Sequence, residues 1–314
     1  MGVNFNVDLL EYAVANIGEE LIGHVDPMMS AWAGLTPGYS EAYGLLADEA
    51  SKRCFVAIIA ARMFWHLKPI PLMDEVPFPS DNGAVTNLSG RGYDIRLKID
   101  AGSRYLTYDM EQYRYKTDMV DIVASPGDIV IDGGGYVGDS ALYFAHRVGK
   151  TGKVLAFEFI PNNVARLKEN VQFNPHLAPQ IELVEHPLWG KSGHELAFDD
   201  EGPASRVSTS TTAQKFVTVS IDDIVERKSL PRIDFLKLDI EGAEVDALYG
   251  AEKTIRTCKP RLGVCLYHAN EHFSEIPLML KKMNPGYEFY VRHMTWGLGE
   301  TVLYAIDRSP KHPS

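Results

Sequence analysis

Pro126-Gly-Asp-Ile-Val-Ile-Asp-Gly-Gly-Gly-Tyr-Val-Gly-Asp-Ser140 reads as a turn, a short buried strand, a glycine-rich turn and the start of a helix. Gly133, Gly135 and Gly138 satisfy G-x-G-x-x-G, the spacing that lets a backbone approach a nucleotide-like ligand closely. That spacing alone admits two ligand classes. A dinucleotide would rest its pyrophosphate on the helix N-terminus, whereas S-adenosylmethionine carries an ammonium and a sulfonium. Asp132 and Asp139 flank the turn, and carboxylates there repel a pyrophosphate and attract a cation. The loop charge therefore favours S-adenosylmethionine.

Outward from this loop, short apolar runs alternate with amphipathic segments. Residues 128–132, 154–158, 181–185, 233–238 and 262–266 read as strands, with helical spacing between them as in Asn162 to Gln172. Such alternation implies a largely parallel sheet covered on both faces. Tyr287 to His293 and Glu300 to Ile306 follow one another without a helix, which predicts an antiparallel pair at one edge. The count is seven strands, an α/β Rossmann-like sheet. Asp94 to Ile99 and Ser103 to Tyr108 alternate like a further short strand pair ahead of it, and Ser205 to Thr212 reads as a loop.

The first part of the chain differs. Apolar residues from Leu9 to about Leu67 recur at helical spacing, and Lys68 to Ser80 holds four prolines, which remove backbone donors and favour extended conformations. The expected division is a helical region with its Pro-rich connector over 1–80, and a catalytic domain over 81–314 with its core at 113–306. The formal charge of −11, from 42 acidic and 31 basic residues, gives no broad attraction for nucleic acid or an anionic membrane. Cys54, Cys258 and Cys265 lack the spacing of a zinc site or a disulfide framework. The N-terminus carries acids where a signal peptide needs bases, and Ala57 to Trp65 is too short to span a bilayer. The expectation is a soluble, cytoplasmic protein with a small-molecule acceptor, compatible with a homo-oligomer.

Glu158 ends the second strand, where a carboxylate can accept from ribose hydroxyls of either ligand class. Leu230-Pro-Arg-Ile-Asp-Phe-Leu-Lys-Leu-Asp-Ile-Glu-Gly-Ala-Glu-Val-Asp-Ala-Leu-Tyr-Gly250, taken with the Asp132 loop, resembles the FkbM-type methyltransferases, whose fourth strand ends in Asp-x-Glu-Gly-x-Glu. The resemblance runs from about Tyr113 to Ile306 and includes Tyr267-His268, Ile276-Pro277, Val291-Arg292-His293 and Glu300-Thr-Val-Leu-Tyr304. It implies a seven-stranded Rossmann-like fold, S-adenosylmethionine as donor and O-methylation of a sugar or natural-product hydroxyl. Two departures stand out. The family's first loop commonly reads Asp-x-Gly-Ala-Asn, and Gly135-Tyr136 replaces Ala-Asn here; Glu158 is followed by Phe159-Ile160-Pro161 rather than directly by proline.

Methyl transfer needs an acceptor oxygen held in line with the methyl carbon and relieved of its proton. Open parallel sheets place ligands at the carboxyl ends of their strands. Asp239 and Glu241 fall there after strand four, with Lys237 on the face of Asp239 and able to pair with it; His268 follows strand five and His293 ends strand six. His268 is the expected base, with Asp239, Glu241 and His293 as the other catalytic candidates. The expected cofactor cradle comprises Asp132, Gly133, Gly134, Gly135, Val137, Gly138, Asp139 and Ser140 of the loop, Glu158, Phe159 and Asn163 after strand two, and Asp239. Tyr113 resembles part of a segment that in many such enzymes folds over the cofactor, and its ring could cover the sulfonium. Trp189 is placed for the adenine side or for ordinary core. A divalent metal on Asp239, Glu241, His268 and His293 would lower a hydroxyl's pKa, but the spacing is not diagnostic and no metal is assigned. Two other readings stay open: a nicotinamide-dependent oxidoreductase, and a methyltransferase-like binding module without turnover.

Overall fold

The computed structural model describes residues 5–18, 32, 34–65, 68–77, 84–198 and 214–309, and Ser205 to Thr212 lies outside them. Seven strands form the central sheet: β1 Ile129–Gly133, β2 Lys153–Phe157, β3 Ile181–Val184, β4 Phe235–Leu238, β5 Arg261–Cys265, β6 Tyr287–His293 and β7 Thr301–Asp307. Their order is β6-β7-β5-β4-β1-β2-β3. The pairs β1/β2, β2/β3, β4/β1 and β4/β5 are parallel, and β6/β7 is antiparallel. The expected mostly parallel α/β sheet is therefore present. From β1 the chain steps outward to β3 and then returns to the other side of β1 as β4. The carboxyl ends of β1 and β4 thus bound a topological switch point, where open α/β sheets bind ligands.

Among the described residues, the helices longer than one turn are α1 Phe5–Ile17, α2 Thr36–Leu45, α3 Glu49–Phe64, α4 Asp139–Val148, α5 Pro161–Gln172, α6 Ile221–Arg227, α7 Glu244–Tyr249, α8 Glu252–Cys258 and α9 His272–Met283. The chain divides into two compact units, Phe78–Val264 and Met1–Pro77 with Cys265–Ser314.

In the unit Phe78–Val264, β1, β2 and β4 bury nearly every side chain, which is why their sequences are continuous apolar runs rather than alternating ones. Helix α5 starts on Pro161, whose fixed φ suits the first helical position. Asn170 on this helix and Asn174 just past its end reach the strand Arg96–Lys98. Each amide accepts from one backbone N–H of that strand and donates to the carbonyl of the same residue, at 2.6 to 3.0 Å, as a neighbouring strand would. Arg96–Lys98 also pairs antiparallel with Val85–Asn87. The expected second partner, Ser103 to Tyr108, is instead helical: Ala101–Arg104 is one α-turn and Tyr105–Asp109 a π-turn. Asp100 starts that turn by accepting from the Ser103 N–H at 2.8 Å, so local capping overrides the weak alternation.

The unit made of Met1–Pro77 and Cys265–Ser314 contains the expected N-terminal helices. Phe5, Tyr39, Tyr43, Phe55 and Phe273 interlock there mostly edge-on or tilted, with ring centroids 5.5 to 6.4 Å apart. The edge strand β6 is not left bare. The Ala47 N–H donates to the Phe289 carbonyl at 2.8 Å, and the Val291 N–H donates to Ser51 Oγ at 2.9 Å, so the turn between α2 and α3 and the start of α3 take up a donor and an acceptor that would otherwise invite another strand. Residues 68–77 form neither helix nor strand, as their prolines dictate. Among the described residues, no helix is long and apolar enough to cross a membrane.

Candidate functional site

The loop after β1 is shaped by contacts that only glycine permits. Gly134 has φ +82°, and a Cβ built on it would lie 1.9 Å from the Asp239 carbonyl oxygen. The backbones of the β1 and β4 ends therefore touch at this residue. The N–H groups of Gly134 and Gly135 both donate to the Phe157 carbonyl, at 3.0 and 2.8 Å, which fastens the loop to β2 as well. Gly138, at φ +88°, ends the turn as the N-cap of α4. Tyr136 is also left-handed, at φ +43°. That region favours Asn among the non-glycine residues, so the loop conformation accounts for the Asn common at this position in the family, and the tyrosine bears the strain instead.

Beneath the loop lies a buried ion pair. Asp132 is fully buried, accepts from Ser140 Oγ and stands 3.2 Å from Lys237 Nζ. Lys237, 1% exposed, also donates to the carbonyls of Gly133 at 2.9 Å and Gly134 at 2.6 Å. The sequence places Lys237 beside Asp239; the structure shows it bridging to Asp132 and clamping the loop from the neighbouring strand. A lysine inside an apolar strand was the available signal, because a buried ammonium requires a carboxylate. Burial pushes the Asp132 carboxyl up and the Lys237 ammonium pulls it down, with burial prevailing. Because Lys237 already answers Asp132, that acid contributes less to attracting a cationic ligand than its place in the sequence implies.

Asp139 opens α4 with its side chain buried. Its carboxylate accepts from Thr107 Oγ1 at 2.6 Å, its carbonyl accepts from the Tyr108 hydroxyl at 2.8 Å, and burial pushes its pKa up to about 6. The π-turn is thereby strapped to the start of α4, a role for Thr107 and Tyr108 that no pattern in the sequence announces. Asn170 reaches the same loop from α5, donating to the Val137 carbonyl at 2.8 Å.

Glu158 is buried at the end of β2. One oxygen accepts from the Phe159 and Ile160 N–H groups at 2.8 and 2.9 Å, and the other from the Tyr136 N–H at 2.9 Å. The Asn163 side chain bonds the same carboxylate, and burial outweighs these donors in moving its pKa, which is raised. A carboxylate has about four accepting positions. Glu158 therefore holds the glycine loop to β2 before it meets any ligand. Phe159 packs edge-on against Phe216, with centroids 4.9 Å apart.

Asp239 and Glu241 follow β4, both half-buried, on a turn with left-handed Glu241 and Gly242. Glu244 is buried and accepts from the Ile240 N–H at 2.9 Å, so the third acid of the motif holds the turn. The Tyr113 hydroxyl donates to Asp239 Oδ2 at 2.8 Å, and Lys237 Nζ lies 5.1 Å from the centroid of the Tyr113 ring. One unit thus brings together Tyr113, Asp132, Glu158, Lys237 and Asp239. Trp189 is half-buried, and its backbone N–H donates to the Val219 carbonyl at 3.0 Å.

The two histidines lie in the other unit. His268 follows β5, half-buried, with its ring against Tyr267 at a centroid distance of 4.1 Å. His293, at the end of β6, has both nitrogens engaged: Nδ1 with Thr301 Oγ1 at 2.8 Å and Nε2 with the Thr295 carbonyl at 2.6 Å. Nε2 must donate to that carbonyl, so Nδ1 accepts from the threonine hydroxyl. Burial lowers the pKa to about 4. No lone pair remains for an acceptor proton, and this geometry makes His293 a fastener of its hairpin rather than a base.

Strand order, glycine loop and strand-end acids together define a Rossmann-like fold of the class I methyltransferase type. The Methyltransferase FkbM domain matches residues 132–289, half of the chain. The chain belongs to the FkbM methyltransferase family. It is similar to Methyltransferase 1 of Beauveria bassiana, with 21% identity over 209 residues covering 59% of this chain and 83% of that protein. It also resembles the crystal structure of Methyltransferase FkbM from Methylobacillus flagellatus KT, at 18% identity and a TM-score of 0.60 over 88% of this chain. The chain spans 60% of the length of that solved protein. Family membership does not favour the nicotinamide reading.

Proposed function

We propose that the protein is an S-adenosylmethionine-dependent methyltransferase acting on a hydroxyl of a small molecule, a sugar or other natural product. The observation that carries this is the close approach of Gly134 to Asp239, which leaves no room for a side chain where the β1 loop meets the acidic end of β4. A backbone cradle beside carboxylates suits a ligand with an amino acid moiety and a sulfonium better than one with a pyrophosphate. The fit is direct for the loop and conditional for Glu158, whose carboxylate would exchange one of its present donors for a ribose hydroxyl.

When bound, S-adenosylmethionine supplies a methyl group on a sulfonium leaving group. The chain's own contribution is placement and proton removal. The Gly133–Gly138 loop and Glu158 hold the nucleoside, Asp239 presents its carboxylate to the cationic part, and His268 takes the proton of the acceptor hydroxyl. A net charge of −11 supports a small acceptor over a polyanionic one. Isothermal calorimetry with S-adenosylmethionine, its demethylated product and NAD tests the reading. Binding of the first two is expected, and binding of NAD alone would overturn it. His268→Ala should then remove transfer at nearly unchanged cofactor affinity, and unimpaired turnover would eliminate it as the base.

A further inference from the structure

We infer that Tyr113 is a positioning residue for Asp239 rather than a cover for the cofactor's sulfonium; the inference rests on the function proposed above. Tyr113 is 5% exposed, so its ring has few ways to turn. One neighbour is the Phe144 ring, with centroids 5.9 Å apart and planes tilted by 36°. Another is the Lys237 ammonium, 5.1 Å from the ring centroid. Gly263 of β5 is a third neighbour: a Cβ there would stand 4.0 Å from Tyr113 Cδ1, in ordinary contact.

The ring's attraction for a cation is thus already drawn on by a fixed internal ammonium. The hydroxyl, by contrast, has a defined task. It donates to Asp239 Oδ2 at 2.8 Å, and a hydrogen bond to an ionised acceptor is among the stronger and more directional kinds. Asp239 is half-buried on a short turn whose backbone is set by Gly134 on one side and by Glu244 on the other. Tyr113 adds a constraint on the carboxylate itself. With Oδ2 held, Asp239 meets the ligand in one orientation instead of several, which lowers the ordering cost of binding.

Tyr113→Phe keeps the ring, its stacking and its approach to Lys237, and removes only the hydroxyl. Calorimetry with S-adenosylmethionine is expected to show about tenfold weaker binding in this variant, with the thermal midpoint of the ligand-free protein within ~2 °C of wild type. Repeating the substitution in an Asp239→Asn background should give a much smaller additional loss, because the two residues act through one contact. Affinity within twofold of wild type overturns the inference, and so does an equally large loss in both backgrounds. If Asp239→Asn binds too weakly to measure, the single variant decides. Failure of wild-type protein to bind S-adenosylmethionine would overturn the proposed function itself, so the two failures are distinguishable.

Discussion

The end of β1 in one unit and the end of β6 in the other both carry ionisable groups that the sequence offers as functional, and they are closed in different ways. His293 at the end of β6 spends both ring nitrogens inside its own hairpin. Asp132, Asp139 and Glu158 around the β1 loop are buried, and they join that loop to β4, to the π-turn and to the end of β2. The first arrangement makes a stable corner. The second ties three pieces of chain to one loop, so that the backbone of the loop, more than any one side chain, becomes the candidate binding surface. A polar cluster satisfied within one hairpin is complete, whereas one that fixes a glycine loop from several directions prepares it for a ligand.

Gly134→Ala tests that contrast most severely. The added Cβ would fall 1.9 Å from a carbonyl oxygen at a residue with φ +82°, so the β1 and β4 ends must separate. A loss of about 4–5 kcal/mol, read by urea unfolding, is expected, together with loss of S-adenosylmethionine binding. Mild destabilisation would mean that the loop yields and is not preorganised.

Lys237→Met leaves Asp132 buried without its cation and should cost about 3–4 kcal/mol. Adding Asp132→Asn should restore part of that stability. If the double variant is no better than the single, the ion pair is not what Lys237 contributes.

The acid and the histidine respond to pH with opposite signs. Asp139 has its folded pKa raised from 3.8 to about 6, so its contribution is present below about 4 and is lost as pH rises through 6. Asp139→Asn, which can still accept from Thr107, should stabilise the ligand-free protein at pH 7.5 by about 2 kcal/mol and flatten the slope between pH 4 and 6. His293 has its folded pKa lowered from 6.5 to about 4, so its contribution is present above 6.5 and is lost as pH falls through 4. His293→Gln should cost only about 1 kcal/mol at pH 7.5 and remove the acid-side loss. Unfolding free energies measured across pH 4–8 decide both, and slopes of the same sign would contradict the assigned environments.

The strands of the sheet could be read in advance because burial on both faces writes each of them as an apolar run. The edge hairpin could be read because β6 and β7 follow one another without a helix. Residues 103–108 could not, because two or three alternating residues weigh less than the Asp100 cap and the bonds from Thr107 and Tyr108 to Asp139. Lys237 was legible as a residue in need of a partner but not in its choice. Asp132 and Asp239 are both in the sequence, and only the pairing of β4 with β1 brings Lys237 opposite Asp132. His293 read as a candidate base because a histidine at a strand end looks alike whether its nitrogens are engaged or not.

By itself the sequence determined the α/β class, the strand count, the glycine loop and the family, since these follow from periodicity and from residues adjacent in the chain. The tertiary structure decided what each charge in the loop answers to. Electrostatic partners are chosen by distance across strands, and the β1–β4 pairing sets that distance far from either residue's neighbours in sequence. The loop keeps its place as the candidate cofactor cradle, with Lys237 beneath it and Tyr113 setting the acid beside it.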